Sequence, residues 1–278
     1  MISVLHPGLY STIQDMGRIG YRKYGVPVSG VMDSISANYS NALLENDIND
    51  AVMEITLMGP KLQFKAATDI TISGAEMSAK INNVPISNDK VYAVNENDIL
   101  SFGELLKGAR CYLGVKNGFQ TASVLNSRSF YPEITAEGVI KKEDMIPFKQ
   151  HKCKIINSNK LKTHFFDTDQ LHVYKGPDIE FFTSEEQFKL VSTLNTVTTS
   201  NNRMGYRFKE TIVKHSISII TSPVLPGTVQ LMPSGNLIIL MKDAQTTGGY
   251  PRVFQLTEKS IAILAQKKAN DKVRLITI

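Results

Sequence analysis

Six short segments between residues 51 and 115 most constrain what this chain can fold into, because each runs apolar or alternates apolar and polar residues. They span 52–57, 61–64, 69–73, 91–94, 98–102 and 110–115. Turn-forming pairs such as Gly-Pro, Asn-Asn and Asn-Asp separate them, and no helical pattern intervenes. Short strands at this spacing are typical of a β-barrel or a β-sandwich.

The second half of the chain has a similar pattern. Strands are predicted at 171–174, 211–221, 224–232, 236–242 and 273–278. We therefore predict a mainly β fold with a few helices, arranged as two β-rich halves built as barrels or sandwiches. The first half covers residues 1–165 and includes a polar connecting segment, and the second covers residues 166–278.

Three helices are predicted from their start signals. The first runs over 34–46, with Asp33 or Ser34 as its N-cap. The run Ser-Glu-Glu-Gln at 184–187 has the form of a capping box and would open a second, short helix. The third helix begins after Thr257 and turns an apolar face inward.

The composition is that of a folded protein, with 42% hydrophobic residues, 21% charged residues and a net charge of +5 over 278 residues. The densest basic patch lies between residues 152 and 162 and lacks the interleaved aromatic residues of nucleic-acid-binding modules. We see no secretory leader and no apolar stretch of the roughly 20 residues that span a bilayer. With only Cys111 and Cys153 to pair, we expect a reduced, cytoplasmic protein with no nucleic-acid or membrane partner.

The sequence shows no motif for a tightly bound cofactor. His151 and Cys153 have no second pair at ligand spacing, so no metal site is expected. Glycines at 103 and 108 are followed by Ala-Arg, where a phosphate loop has lysine and a hydroxyl residue. Lys242 lacks the Ala-Met-Lys-Met context of a biotinylated lysine, so no covalently bound cofactor is expected.

Residues 11–33 form a looped segment with polar side chains that packing alone does not explain. Glycines at 17, 20, 25 and 30 exclude a regular helix. Along the loop lie Gln14, Asp15, Arg18, Tyr21 and Asp33. Either Asp15 pairs with Arg18 and braces the loop, or the loop faces a substrate, and the residues leave both interpretations open.

The run Asp-Ala-Gln-Thr-Thr-Gly-Gly-Tyr-Pro at 243–251 concentrates carboxylate, amide and hydroxyl groups beside two adjacent glycines. A hairpin turn needs about two special residues, so this density favours a ligand loop over a structural turn. A second polar turn that contains glycine lies at 201–207. Arg128, between two serines, is either an anion contact or a structural arginine.

Five segments together resemble the KipA family. They are Ser-Thr-Ile-Gln-Asp-Met-Gly-Arg-Ile-Gly-Tyr-Arg at 11–22, Gly-Val-Pro-Val-Ser-Gly-Val-Met-Asp at 25–33, Asn-Arg-Met-Gly-Tyr-Arg at 202–207, Pro-Gly-Thr-Val-Gln at 226–230 and Asp-x-x-Thr-Thr-Gly-Gly-Tyr-Pro at 243–251. That family includes the C subunit of bacterial 5-oxoprolinase (PxpC), allophanate hydrolase subunit 2 and part of the urea carboxylase carboxyltransferase domain. The resemblance covers nearly the whole chain, and the sequence departs from the family pattern around 126–130 and 137–144.

The resemblance implies β-barrel subdomains similar to cyclophilin and work in a heteromeric complex. A KipI-like subunit (PxpB) and a LamB/YcsF-like subunit (PxpA) would be the partners, and the complex would open 5-oxoproline to glutamate with hydrolysis of ATP. Two alternatives remain. One is a biotin-dependent carboxyltransferase subunit that takes carboxybiotin, and the other is a regulatory protein that binds and antagonises a KipI-like kinase inhibitor.

On the amidohydrolase hypothesis the polar loops supply three kinds of group. Candidate catalytic acids, bases or amide N–H acceptors are Asp15, Asp33 and Asp243. Groups able to stabilise negative charge on oxygen are Gln14, Gln230, Thr246, Gly248 and Gly249. The remaining substrate-binding candidates are Arg18, Arg203, Arg207, Tyr21, Tyr206, Thr247 and Tyr250. Loop bracing is the alternative role for the arginines and tyrosines.

Overall fold

The computed structural model describes residues 1–136, 138–151 and 166–278, which form two compact units. The first comprises the described residues of 1–18 and 29–164, and the second those of 19–28 and 165–278. The basic patch at 152–162 and Cys153 lie outside the described residues. No helix in the described ranges is long and apolar enough to cross a membrane.

Strands make up most of the regular secondary structure of the first unit, which confirms the mainly β prediction. Its strands are β1 (Ile2–His6), β2 (Tyr10–Gln14), β3 (Val52–Thr56), β4 (Lys61–Phe64), β5 (Thr68–Glu76), β6 (Lys80–Ile81), β7 (Val84–Pro85), β8 (Val91–Val94), β9 (Ile99–Ser101), β10 (Lys107–Val115) and β11 (Met145–Ile146). They form a six-stranded sheet in the order β11-β1-β4-β9-β6-β7 and a five-stranded sheet in the order β2-β3-β10-β5-β8.

One apolar core joins the two sheets of the first unit. Ile2 and Phe64 contribute from the six-stranded sheet, and Ile55, Ile72 and Cys111 contribute from the five-stranded sheet. All five side chains are at most 1% exposed. Complete burial raises the pKa of the Cys111 thiol well above its ordinary value, so this cysteine is a core residue without thiolate character.

Helix α1 (Ser34–Leu43) packs against β10 and β5 and begins as predicted. The Asp33 carboxylate accepts a hydrogen bond of 3.0 Å from the Ser36 N–H, which satisfies one of the unpaired donors of the first turn. The helix ends three residues before the predicted position 46. Glu45 adopts a left-handed backbone with φ of 51°, which terminates the helix.

The second unit contains a seven-stranded sheet in the order β13-β20-β12-β19-β16-β17-β14 and a two-stranded sheet of β15 with β18. Its elements are β12 (Gln170–Lys175), α2 (Ser184–Ser192), β13 (Leu194–Thr196), β14 (Gly205–Arg207), β15 (Ser222–Pro223), β16 (Thr228–Leu231), β17 (Leu237–Leu240), β18 (Thr247–Gly248), β19 (Arg252–Leu256), α3 (Glu258–Ala265) and β20 (Lys272–Thr277). Only the β12–β20 pair in this sheet is parallel.

The two edge strands of the seven-stranded sheet meet, so the sheet curls into a barrel. Val197, just after β13, forms an antiparallel bridge with Phe208, just after β14. The Thr198 N–H donates to the Arg207 carbonyl at 2.9 Å and the Lys209 N–H to the Thr196 carbonyl at 3.0 Å. Closure in this way protects the edge strands of the sheet.

Two local predictions for the second unit were wrong. The capping box of α2 is formed by Thr183 and Glu186, one residue before the predicted pair, because the hydroxyl of Thr183 and the carboxylate of Glu186 each bond the other residue's N–H. Residues 211–220 are not a strand. Isolated backbone bonds, such as that from His215 to the Pro233 carbonyl, tie this segment to its neighbour. Pro233 has no N–H with which to continue a ladder.

The core of the first unit predicts a large penalty for Phe64→Ala. Phe64 is fully buried and lies edge-on to Phe148, with ring centroids 6.3 Å apart. We expect the free energy of unfolding to fall by about 3–5 kcal/mol, as measured by denaturant titration. Phe181→Ala is the control, since Phe181 is 57% exposed. Equal losses for the two variants would contradict this account of the core.

Candidate functional site

A cavity of about 230 Å³ in the second unit brings together several of the sequence-predicted residues. This volume lies below the roughly 300–1,000 Å³ typical of sites for drug-sized ligands, so the cavity suits a small molecule. Its lining residues are Asn202, Met204, Gly205, Arg207, Gln230, Met232, Ile238, Leu240, Gln245 and Tyr250. Gln230 and the 243–251 segment therefore share one site, as the ligand-loop hypothesis requires.

Polar groups in the cavity wall are available for a ligand. Within the described part of the chain, the Arg207 guanidinium makes no hydrogen bond or ion pair and is exposed. Gln230 is 1% exposed and donates from Nε2 to the Tyr250 carbonyl at 3.2 Å. Its own side-chain carbonyl accepts no hydrogen bond from the described residues, so it can accept one from a ligand. The exposed amide of Gln245 adds a donor and an acceptor.

The apolar part of the wall comes from alternating residues of β17. Ile238 and Leu240 point to the cavity, while Ile239 is fully buried on the opposite face of the strand. Met204 and Met232 complete the apolar lining. The cavity thus combines one guanidinium, amide groups and an aliphatic surface.

Gly248 lies so close to Gln230 that no larger residue fits without a shift. A Cβ built on Gly248 would stand 2.6 Å from Gln230 Nε2. The β15–β18 pairing holds this glycine in place, with Ser222 opposite Gly248 and Pro223 opposite Thr247. A larger residue at position 248 would therefore require the Gln230 amide to move.

A buried ion pair fixes the loop at the mouth of the cavity. Arg203 donates to Asp243 in two-pronged fashion, from Nε at 2.7 Å and from Nη2 at 3.0 Å. The side chains are only 7% and 8% exposed. Backbone bonds from Asp243 to the Arg203 carbonyl and from Met241 to the Met204 carbonyl join the same two segments. Asn202 completes the turn, because its side-chain oxygen accepts from the Met204 N–H at 2.8 Å.

Two further arginines brace the two-stranded sheet of β15 and β18, which carries Gly248. Arg22, from the short 3₁₀ turn Arg22–Tyr24, donates to the carbonyls of Val224 and, at 3.2 Å, of Thr246. Arg252 donates to the Pro223 carbonyl at 3.2 Å and to Asp178 at 2.8 Å. These bonds hold both strands of this two-stranded sheet, and neither Arg22 nor Arg252 lines the cavity.

The other predicted residues of the second unit surround the cavity without lining it. The Tyr206 hydroxyl donates to the Lys267 carbonyl at 3.1 Å, and its ring is fully buried. Thr246 contributes its backbone carbonyl to Arg22. Thr247 and Gly249 are exposed, and Tyr21 precedes the 3₁₀ turn as its N-cap.

In the first unit, Asp15 is the hub of a hydrogen-bond network. Its carboxylate accepts from the hydroxyls of Ser127 and Ser129, both at 2.6 Å, from the Arg128 N–H at 2.5 Å and from the Gly17 N–H at 2.8 Å. The network fixes residues 127–129 beside the 15–17 loop. This geometry agrees with a bracing role, while an acid or base role for Asp15 stays a prediction.

The neighbouring predicted residues of the first unit are also engaged. Arg18 is fully buried and donates to the Ser129 carbonyl. The fully buried Gln14 amide donates to Thr12 Oγ1 at 3.0 Å. Asp33 caps α1 through the Ser36 N–H and accepts from the Ser36 hydroxyl at 2.6 Å.

A buried tyrosine and glutamate hold the start of α1. The Tyr112 hydroxyl donates to Glu54 at 2.9 Å and accepts from the Asp33 N–H at 2.8 Å, and Glu54 accepts from the Met32 N–H at 2.7 Å. Burial, then the charges of Glu54 and Asp33, raise the pKa of Tyr112 far above its ordinary value. Tyr112 therefore stays a neutral hydrogen-bond donor.

Sequence reasoning missed several lining residues of the cavity. Asn202 and Gln245 lie inside polar motifs, but nothing in the residue pattern distinguishes them as binding residues. Their exposure and location become apparent only from the structure. Period-2 alternation along β17 is the signal that could have placed Ile238 and Leu240 on one face.

The Arg203–Asp243 pair predicts a strong penalty when one partner is removed. Arg203→Gln leaves a buried carboxylate without its cation, so we expect the free energy of unfolding to fall by about 3–5 kcal/mol. Asp243→Asn should lose a similar amount. The double variant should lose clearly less than the sum, as a double-mutant cycle by denaturant titration would show. Additive losses would contradict a direct pairing.

The Asp178–Arg252 pair predicts a pH dependence of stability. Burial raises the pKa of Asp178, but hydrogen bonds and the charge of Arg252 outweigh it, so the folded-state pKa lies below the ordinary value. The stabilisation is therefore present above the unfolded-state pKa of about 3.9 and is lost as pH falls through the lower folded pKa.

Unfolding free energies measured between about pH 2 and pH 6 test this prediction. The natural chain should have a larger free energy of unfolding than Asp178→Asn, and this difference should shrink as pH falls below about 4. Glu96→Gln, which removes an exposed carboxylate in the other unit, serves as a control. If this difference in the free energy of unfolding stayed constant across the pH range, the lowered pKa of folded Asp178 would be contradicted.

Comparison with known proteins places the chain among carboxyltransferase-type domains. A family model of the carboxyltransferase domain, subdomain A and B, matches residues 24–277. The chain is 28% identical to the C subunit of 5-oxoprolinase from Escherichia coli (strain K12) over 272 residues, which is 96% of this chain and 87% of that protein. It is 40% identical to urea amidolyase of Lachancea kluyveri over 129 residues, which is 46% of this chain and 7% of that protein.

The fold of the chain is also similar to that of a solved urea amidolyase structure. The crystal structure of the K. lactis urea amidolyase superimposes on the chain with a TM-score of 0.87 and 24% identity. The match covers 100% of this chain and 18% of that chain. At this identity the similarity concerns the fold, and it agrees with the mainly β architecture described above.

Proposed function

The chain belongs to the carboxyltransferase domain family, subdomain A and B, and we propose that it is the C-type subunit of an ATP-dependent 5-oxoprolinase. One observation carries the proposal. The chain matches the C subunit of the Escherichia coli 5-oxoprolinase over 87% of that protein's length, whereas it matches only 7% of the urea amidolyase. Correspondence with a whole subunit favours a role as a separate subunit of a complex.

The cavity chemistry suits 5-oxoproline. This molecule is a small five-membered lactam with one carboxylate, and it is neutral elsewhere. Arg207 can bind the carboxylate in two-pronged fashion, and the Gln230 carbonyl can accept the lactam N–H. Ile238 and Leu240 can cover the ring methylenes. A site that bonds the lactam N–H would discriminate against analogues without it.

The proposed reaction adds water across the lactam C–N bond and gives glutamate, with ATP hydrolysed in the same cycle. In this scheme the second unit binds and orients the lactam. No carboxylate or imidazole occurs among the described lining residues. We therefore assign the activating chemistry to groups contributed by the partners, a KipI-like subunit and a LamB/YcsF-like subunit, in a cytoplasmic complex.

A biotin-dependent carboxyltransferase subunit is the second candidate. The 40% identity to urea amidolyase over 129 residues favours it. Carboxybiotin also presents a cyclic urea, which the Gln230 and Gln245 amides can bond. Under this alternative the chain would need a biotin carrier and a biotin carboxylase, and carboxyl transfer to urea would replace glutamate release.

Reconstitution tests the two functions against each other. The purified chain is mixed with the KipI-like and LamB/YcsF-like subunits, ATP and 5-oxoproline, and glutamate release is followed. Turnover that depends on all three subunits supports the oxoprolinase. Carboxyl transfer from carboxybiotin, with no glutamate release, supports the second candidate. Binding of the KipI-like subunit without either reaction supports the regulatory alternative and contradicts both.

Within the active complex, Arg207→Gln should raise the KM for 5-oxoproline by about tenfold to a hundredfold, because a hydrogen bond to a charged group is lost. Arg274→Gln is the matched control, since Arg274 is exposed on β20 and lies outside the cavity. Thermal unfolding of both variants should match that of the natural chain. An unchanged KM for Arg207→Gln would remove Arg207 from the substrate site.

A further inference from the structure

A second cavity, in the first unit, is larger than the one in the second unit. Its volume is about 360 Å³. The apolar part of its wall includes Ile13, Phe130, Val139 and Pro147. The cavity lies on the other compact unit from Arg207 and Gln230, and nothing in the proposed function uses it.

Thr121 supplies an unsatisfied polar group to this cavity. The residue is 7% exposed, and its Oγ1 is buried without a hydrogen-bond partner among the described residues. A buried hydroxyl without a partner is unfavourable by about 1–3 kcal/mol. A ligand oxygen that accepts from this hydroxyl would remove that penalty.

Arg128 lies beside Thr121, and most of its guanidinium N–H groups donate to none of the described residues. Its backbone N–H is held by Asp15, and one guanidinium nitrogen, Nη1, donates to the Thr121 carbonyl. These two bonds fix the base and one nitrogen of the side chain. Of the five guanidinium N–H donors, the remaining nitrogens Nε and Nη2 make no hydrogen bond to the described residues.

Among the described residues of the wall, the charge balance is positive. Arg128 and Lys141 contribute two cations, and Asp144 contributes one carboxylate. The Asp144 carboxylate already accepts from the Lys141 N–H at 2.7 Å. The described lining therefore has a net charge of +1, which matches a singly charged carboxylate better than a doubly charged phosphate.

We propose that this cavity binds a small organic carboxylate, with its charged group on Arg128 and the Thr121 hydroxyl and its apolar body against Ile13 and Phe130. The Arg128 fork matches the geometry of a carboxylate. The proposal does not depend on the proposed function, because it concerns a different unit and different residues. Arg128 and Thr121 are binding residues in this proposal, with no role in a reaction step.

Benzoate and benzamide are suitable probes, because they share a compact ring and differ in charge. Calorimetric titration of the full-length chain should show benzoate binding and at least about tenfold weaker binding of benzamide. Arg128→Gln should weaken benzoate binding by about tenfold or more. Thr121→Val keeps the side-chain shape and should weaken it several-fold.

Two controls keep the test decisive. Lys142→Gln removes a neighbouring lysine whose side chain is 69% exposed and outside the cavity, and it should leave benzoate affinity unchanged. Arg207→Gln tests whether benzoate instead occupies the second unit. Thermal unfolding identifies any variant that fails to fold, and Arg128→Lys, which keeps the charge and loses the fork, then replaces Arg128→Gln.

Three results would overturn the proposal: no benzoate binding, equal affinity for benzamide, or binding that Arg207→Gln removes and Arg128→Gln leaves intact. The proposal would be supported if Arg128→Gln and Thr121→Val lose benzoate binding while Lys142→Gln and Arg207→Gln keep it. Because the readout is binding to the isolated chain, failure here is distinguishable from failure of the oxoprolinase assay.

Discussion

The buried ion pair between Arg203 and Asp243 is the constraint on which the candidate site depends. Taking both charges out of water is unfavourable unless the pairing geometry is good, and here two N–H groups meet two carboxylate oxygens. The pair connects the 202–204 turn to the 241–243 segment, which leads directly into the predicted ligand loop at 243–251. Arg22 and Arg252 add hydrogen bonds to backbone carbonyls in and beside the two-stranded sheet of β15 and β18, which contains Gly248.

Residues of the same type differ here in whether their side chains are already paired within the protein. Arg203 is buried and paired, whereas Arg207, four residues later, is exposed in the cavity wall and makes no bond to the described residues. Asp243 is likewise paired with Arg203, and Asp15 accepts hydrogen bonds from the hydroxyls of Ser127 and Ser129. The rigid polar frame positions the guanidinium of Arg207 and the amide of Gln230, which are the groups left for a ligand.

Much of the fold could be predicted from the sequence, because its signals are local. Alternation predicted β3, β4, β5, β8 and β10, and hydroxyl or carboxylate N-caps predicted the starts of α1 and α3. The prediction of a strand at 211–221 was wrong. An alternating pattern does not show whether the adjacent segment can complete a ladder of backbone hydrogen bonds. Pro233 lies opposite and lacks the necessary N–H.

The candidate site was predictable only as a set of motifs. The 243–251 segment was predicted as a ligand loop from its chemistry, and Gln230 was predicted as a binding residue with the help of the family resemblance. Residue type does not tell an arginine that braces a loop from one whose side chain is unpaired. That distinction depends on partners far away in the chain, such as the carbonyl of Val224, 202 positions from Arg22. Such contacts join segments that are distant in the sequence, and no local pattern specifies them.

A crystal structure of the assembled complex with 5-oxoproline tests the central claim most directly. The account predicts the lactam in the cavity of the second unit, with its carboxylate on Arg207 and its ring N–H donating to the Gln230 side-chain carbonyl. A lactam bound elsewhere in the complex, with this cavity free of it, would contradict the account.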